Sequence, residues 1–330
     1  MMAILAYILG PLLVLVTVVD VFITVFSTRG AGPISRTWTR LLWRALLFIH
    51  ARRPIHGVLA FTGPFMLLGS IVIWYAFIGL GLFTVFAANP HSVMNSTTGQ
   101  PVEWIQKVYF VNTTISSLGY GDIVPANYPW TLMATAATFI ATIVLTVSIS
   151  YVLSVVGAAI ERKKLAQAIY GLGMTIPEII NHSRLNDAGS SLKNYITTIA
   201  SSIDDHALKH LAYPLLKYFH SHQYDASPVR AILLFSDTFF LLGLLPPNKR
   251  PPVGVLRLVN GSIGNYANLT QAPAVAPKQL DQAPRDLLEY AREHGIAVDG
   301  DVEFRKALES YLFRRRTLLA LCYEDGWYEK

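Results

Sequence analysis

The feature that most constrains this chain is a glycine-punctuated stretch set between two apolar runs. Thr113-Thr114-Ile115-Ser116-Ser117-Leu118-Gly119-Tyr120-Gly121-Asp122 follows the apolar run 58–88 and precedes the apolar run 130–160. Each run exceeds the roughly 20 residues that a helix needs to cross a bilayer. Between them, a short aromatic segment is followed by a non-helical return. Such backbone persists at membrane depth only where it is enclosed in protein or lines water. The stretch 116–125 therefore implies a pore or a protein-enclosed vestibule.

Composition agrees with a membrane setting. The chain is 52% hydrophobic and only 15% charged, against about 25% charged in a soluble domain. Charged residues are sparse up to about residue 160, apart from one arginine-rich loop. The net charge of +6 fits basic residues flanking membrane spans. No basic-aromatic motif argues for nucleic acid. Cys322 is the one cysteine, which excludes an intrachain disulfide and a cysteine-built zinc site. A packed, inert thiol is expected there.

Residues 3–27 read as an N-terminal transmembrane helix. They lack a basic leader region and a small-residue cleavage site, so an uncleaved helix is expected. The helix carries Asp20 among Val18, Val19, Val21 and Phe22. A carboxylate at such a position is usually paired or functional. Its expected settings are a loop arginine or the membrane interface. Residues 28–57 break at Gly30, Gly32 and Pro33, then place Arg36, Arg40 and Arg44 four apart. Trp38, Leu41, Leu42, Ala45, Phe48 and Ile49 cover another face, giving an amphipathic segment suited to the membrane surface. Packing on a cytoplasmic domain is the other reading. Residues 58–88 form an outer pore helix, and 89–100 hold no lysine or arginine, as an external turret should. The positive-inside bias places the N-terminus outside, and the 28–57 segment and Glu161-Arg162-Lys163-Lys164 inside. Pro101 and Glu103 signal a helix start, giving a re-entrant helix over 101–115, too short to span.

Residues 116–122 resemble the selectivity filter of potassium channels, with Ser-Leu-Gly-Tyr-Gly-Asp in place of the commoner Thr-Val-Gly-Tyr-Gly-Asp. A dehydrated cation needs oxygens to replace its water shell, and a ring of backbone carbonyls supplies them. Gly119 and Gly121 permit the backbone angles that aim those carbonyls. The resemblance implies bound potassium ions at Ser117, Leu118, Gly119, Tyr120 and Gly121, with Thr114, Ser116, Asp122 and Tyr109 in support. Tyr120 would face away from the ion and bond to Tyr109, and Asp122 would close the outer mouth. One chain carries one such stretch, so a carbonyl ring implies a homotetramer. Two features depart from the family. Tyr109-Phe110 stand where many members have a tryptophan pair. The inner helix, 130–160, lacks a mid-helix glycine, with Gly157 far along. Which of Thr138, Thr142, Thr146, Ser148 and Ser150 face a cavity is open at this stage, and an apolar narrowing is expected near Tyr151 or Val155.

Residues 161–330 turn soluble in composition and read as a cytoplasmic helical domain, with Leu192, Tyr195, Ile196, Ile199, Ile203, Leu308, Tyr311, Leu312 and Leu319 at helical spacing. Proline-rich pieces, 245–252 and 272–284, divide it. Gly171-Leu172-Gly173 lacks the third glycine and the preceding strand of a dinucleotide fingerprint, so no organic cofactor is expected. His206 and His210, four apart, could share a metal or continue the packed face. Arg314-Arg315-Arg316 reads as a solvated face or a run pairing with ions of another subunit, with an anionic lipid or nucleotide as the alternative. An unidentified ligand of this domain is left open. No constellation suggests catalysis.

The expectation is an all-α membrane protein: a tetrameric potassium-channel pore fold with a helical cytoplasmic domain, in a bacterial inner membrane. The function expected is passive potassium conduction, gated by or assembled through that domain. A weakly selective cation channel and a non-conducting membrane sensor or scaffold are the alternatives. No span carries arginines at every third residue, so a voltage sensor is not expected.

Overall fold

The computed structural model describes residues 2–27, 30–182, 190–245, 250–270, 293 and 302–327. Arg29 and the proline-rich 272–284 lie outside the described residues. Helices α1 (Met2–Phe26), α2 (Pro33–His50) and α3 (His56–Ala87) lead to strand β1 (Val93–Asn95), helix α4 (Trp104–Ile115) and strand β2 (Ile123–Pro125). Helices α5 (Trp130–Tyr170), α6 (Ile176–His182), α7 (Ser190–Ala212), α8 (Pro228–Leu244), α9 (Val253–Leu269) and α10 (Val302–Glu324) follow. Among the described residues, α1, α3 and α5 are long and apolar enough to cross a membrane. This is a mostly helical membrane protein.

Two compact units divide the chain. One holds Met1–Leu42 and Pro64–Val155; the other holds Trp43–Gly63 and Val156–Lys330. In the first, α1 meets α3 at a pair of glycines. A Cβ on Gly10 would stand 2.6 Å from the Gly81 carbonyl oxygen, and one on Gly81 would stand 2.7 Å from that of Gly10. Small residues permit this backbone approach, which is how helices associate where lipid offers no hydrophobic drive. The core of the unit gathers Val21, Trp74, Ile78, Phe86, Phe110, Val111, Ile115, Ala141 and Val144.

Three boundaries differ from the sequence reading. The short helix starts at Trp104 rather than at Pro101, because Pro101 instead pairs with Met94 in a β-bridge. The segment read as a turret contributes β1, which pairs antiparallel with β2 through Val93 and Pro125, Met94 and Val124, and Asn95 and Ile123. Three-residue strands are too short to show an alternating pattern. Helix α5 runs to Tyr170, past the 160 expected from hydropathy. Charge at residues 161–164 ends the apolar run without breaking the helix.

The second unit packs the end of α5 with α6 to α10. Helix α8 is buried nearly all round, as a central helix must be: Val229, Ile232, Phe235, Phe239 and Leu242 all face the core. Ile196, Ile199 and Ile203 of α7 and Leu318 of α10 join it. Cys322 is buried there too. The arginine run is partly internal. Arg315 donates to both oxygens of Asp237, at 3.0 and 3.1 Å, and Arg314 donates to Asn260 Oδ1 at 2.9 Å. It is no purely solvated face.

Candidate functional site

Helix α4 and the stretch after it form the site. Gln106 Oε1 accepts the Glu103 N–H at 3.1 Å at the entry to the helix. Lys107 then anchors it. This side chain is 4% exposed, and its ammonium donates to Phe86 O at 3.1 Å, Asn89 O at 2.5 Å and Ser92 Oγ at 3.2 Å. A cation is favoured against the carbonyl end of a helix, here the end of α3. Sequence reasoning passed over Lys107. Its signal was a lone lysine within an aromatic segment.

The end of α4 organises the residues that follow. Ser117 donates its N–H to Thr114 O at 3.1 Å, while Leu118 and Gly119 donate theirs to Thr113 O at 2.9 and 3.2 Å. Thr138 of α5 adds its hydroxyl to Thr114 O at 3.3 Å, and Ser116 Oγ donates to Thr113 O at 3.3 Å. Backbone φ is positive at Ser117 (59°), Gly119 (52°) and Gly121 (79°), and at neither Leu118 nor Tyr120. Alternation between the two hands turns amide N–H groups to one side of the chain and carbonyls to the other. Gly119 and Gly121 are the two positions where the sequence alone called for such angles. Ser117 accepts the strain that a side chain brings there.

Among the described residues, no protein hydrogen bond is made to the carbonyl oxygens of residues 117–121. Residues 116–122 are exposed in a single copy, including two large side chains, Leu118 at 55% and Tyr120 at 68%. The expected Tyr120–Tyr109 bond is not formed within one chain. Tyr109 instead donates to Asp122 Oδ1 at 3.3 Å. The β1–β2 side holds the same residue from the other direction, since Ser96 donates its N–H to Asp122 O at 2.9 Å.

On α5, Thr142, Thr146 and Ser150 recur four apart on an exposed face. Each donates its hydroxyl to the carbonyl four residues earlier, at 2.8, 2.9 and 3.1 Å. This satisfies the proton and leaves oxygen lone pairs outward. Ser148 is buried. In the stretch where a narrowing is expected, Tyr151 and Val155 are 3% and 0% exposed, whereas Leu153 between them is 70% exposed.

Among the described residues, Asp20 pairs with no arginine. It is fully buried and accepts from Ile34 N at 2.7 Å, Ser35 Oγ at 2.6 Å and Trp74 Nε1 at 2.8 Å. The carboxylate thus caps the first turn of α2 from another helix and ties it to α3. An N-cap contributed from 14 residues away leaves no local motif to read.

Among the described residues, no group of three or more His, Cys, Asp or Glu is placed to hold a metal ion, so His206 and His210 have no third such ligand beside them. His206 stacks on Tyr266 with centroids 5.4 Å apart and meets His210 edge-on at 6.1 Å. Burial, and then the Arg162 charge, hold His206 well below the usual histidine range and His210 at about 3. Nearby, Asp204 accepts from Ser262 Oγ at 2.5 Å and from Asn265 Nδ2 at 3.0 Å, joining α7 to α9.

Residues 91–161 match the family model described as ion channel. The matched segment begins in the loop before β1 and runs through α4, the 116–122 segment and the apolar part of α5. A relative from Bacillus subtilis (strain 168), "Uncharacterized membrane protein YdjJ", is 27% identical over 323 residues, covering 96% of this chain and 92% of its own. That similarity takes in the second unit as well as the matched segment. No solved structure matches the chain.

Proposed function

We propose that the protein is a passive, potassium-selective channel formed by four copies around one axis. The observation that carries this reading is the run from Ser117 to Gly121, whose φ alternates in sign and whose carbonyls accept no hydrogen bond among the described residues. Backbone oxygens in such a row replace the hydration shell of a cation when several copies present them together. The exposed Leu118 and Tyr120 also favour an assembly, because large apolar side chains beside a pore loop call for cover. Helix α4 ends at the segment, and its carbonyl end favours a cation. The Thr142, Thr146 and Ser150 face offers a polar surface for a hydrated ion on the inner side. The absence of lysine and arginine from residues 89–100, against Glu161-Arg162-Lys163-Lys164 after the last span, favours an N-terminus outside and the second unit inside a bacterial cell.

Purified protein in liposomes tests the reading. Potassium flux is expected from the wild type, and Gly119→Ala should remove at least about 90% of it, since an alanine at positive φ costs about 1–2 kcal/mol in each copy. Absence of wild-type flux would leave the scaffold reading in place. A weakly selective cation channel is the second reading, favoured by Ser117 and Leu118 in place of threonine and valine. Reversal potentials in mixed potassium and sodium separate the two.

A further inference from the structure

Three histidines from distant parts of the chain meet in the second unit. His50 closes α2, His56 opens α3, and His220 follows a short turn after α7. Their hydrogen bonds fix where the protons lie. His50 Nδ1 accepts the Ile55 N–H at 2.9 Å, so its Nε2 carries the proton that is donated to Gly326 O at 3.0 Å. His220 Nδ1 stands 2.6 Å from Asp325 O and must donate to it. Its Nε2 therefore accepts from His56 Nδ1 at 3.0 Å. His50 and His220 are neutral in this arrangement, and His56 is the donor from Nδ1. Trp327 stacks on His56 at 4.5 Å and on His220 at 5.2 Å, so the end of the described chain lies over the pair.

The bond between His56 and His220 has room for one proton. One further proton can be accommodated on the pair. Two would set N–H against N–H across 3.0 Å. The surroundings oppose even the first. His220 is 4% exposed, and burial holds it down to about 3 despite its bond to Asp325 O. His50, His222 and Arg162 add positive or ionisable neighbours. The charged groups on the other side are Asp325, paired with Arg162 at 3.0 Å, and Glu324, which lies 3.9 Å from Lys217. Arg230 lies over the Trp327 ring at 5.7 Å. Arg162 also donates to Leu216 O at 3.0 Å.

We propose that this cluster is an acid-released latch: the closed His56–His220 bond cannot hold both rings protonated, so acid that protonates both favours the state in which Asp325–Trp327 is freed from the start of α3. One residue set, Arg162–Asp325–His220–His56, joins the α5 extension to the start of α3, so release loosens the tie between the ends of two membrane-spanning helices. Burial lifts the Asp325 carboxyl to about 6, so its own proton uptake has the opposite sign and offsets part of the release. The latch stands on geometry alone, while any effect on ion flux rests on the channel reading.

Hydrogen–deuterium exchange of the full chain in lipid nanodiscs tests it. The peptide covering residues 321–327 should lose about ten-fold of its protection between about pH 8 and about pH 5, after correction for intrinsic rates. His220→Gln and His56→Gln should each flatten that dependence, and His91→Gln, in the first unit, should leave it as in the wild type. Because His220 is buried and its variant can fail to fold, the half-exposed His56 provides the second test. Protection unchanged by pH, or variants that titrate like the wild type, would overturn the proposal. Potassium flux measured on the same samples keeps the two readings apart. No flux at any pH with a responsive peptide sinks the channel and spares the latch; normal flux with a flat peptide does the reverse.

Discussion

The two units build their key features from different materials. The 116–122 segment is made of backbone: five consecutive residues, alternating in hand, whose side chains matter mainly for what they permit. The histidine cluster is made of side chains from α2, α3, α5, the turn before α8 and the residues after α10, with partners up to 276 positions apart. A local backbone feature is specified by a short string of residue types, because each residue's allowed angles are its own property. A side-chain cluster is specified only when the whole unit has folded. The first kind should tolerate changes of side chain and fail on changes of backbone preference; the second should do the opposite.

The sharpest contrast pairs two substitutions in the 116–122 segment. Gly121→Ala should cut flux about 100-fold or more, because the strain at positive φ recurs in every copy. Leu118→Val, at negative φ, should keep flux within about three-fold, a size change typical of a tolerated hydrophobic swap. Equal losses would mean that side chains build this site after all. In the second unit, Arg162→Met should cost about 3–5 kcal/mol of stability, since it leaves the Asp325 carboxylate buried without its partner; thermal unfolding of the purified protein measures it. A cost below about 1 kcal/mol would place the ion pair outside what holds the unit.

Lys107 blurs the contrast, being a side chain that positions a backbone site. Lys107→Met should cost about 1–3 kcal/mol, the scale for leaving buried acceptors without a donor. The melting temperature should fall and flux should fall with it. Flux retained at lowered stability would show that α4 holds its place without the lysine. The smallest effect is a slope. Histidines held below their ordinary value bind protons in the unfolded chain before the folded one, so stability should decline as pH falls below about 6.5. His206, His210 and His220 share this sign. Asp325, raised to about 6, has the opposite sign and offsets part of the loss between about 6 and 4. The net loss by about pH 5 should be on the order of 1–2 kcal/mol per histidine. Urea unfolding at several pH values reads it, and His210→Gln should remove one share.

Much of the first unit was legible. Three spans follow from hydrophobic length, and Gly119 and Gly121 announced their own angles. What was not legible has a common cause. Pro101 read as a helix start because the rule is local, yet the residue is held in a β-bridge by Met94. A narrowing read near Tyr151 or Val155 could not be assigned to a side chain, because hydropathy does not say which face packs: Tyr151 is buried and Leu153 is exposed. Asp20 read as a partner for arginine because charge suggests charge, while among the described residues its partners are amide, hydroxyl and indole donors. In the second unit Ile196, Ile199 and Ile203 gave away the buried face of α7, which His206 continues, and nothing in the sequence signalled that His56 meets His220.

By itself the sequence determined the membrane setting, the helical character and the backbone hand of the segment between the last two spans, because hydrophobic length and glycine act residue by residue. Only the tertiary structure decided which carbonyls α4 leaves open, what the buried Asp20 and Lys107 hold, and that His56 meets His220. Those depend on distances between residues remote in the chain, and no local preference encodes such a distance.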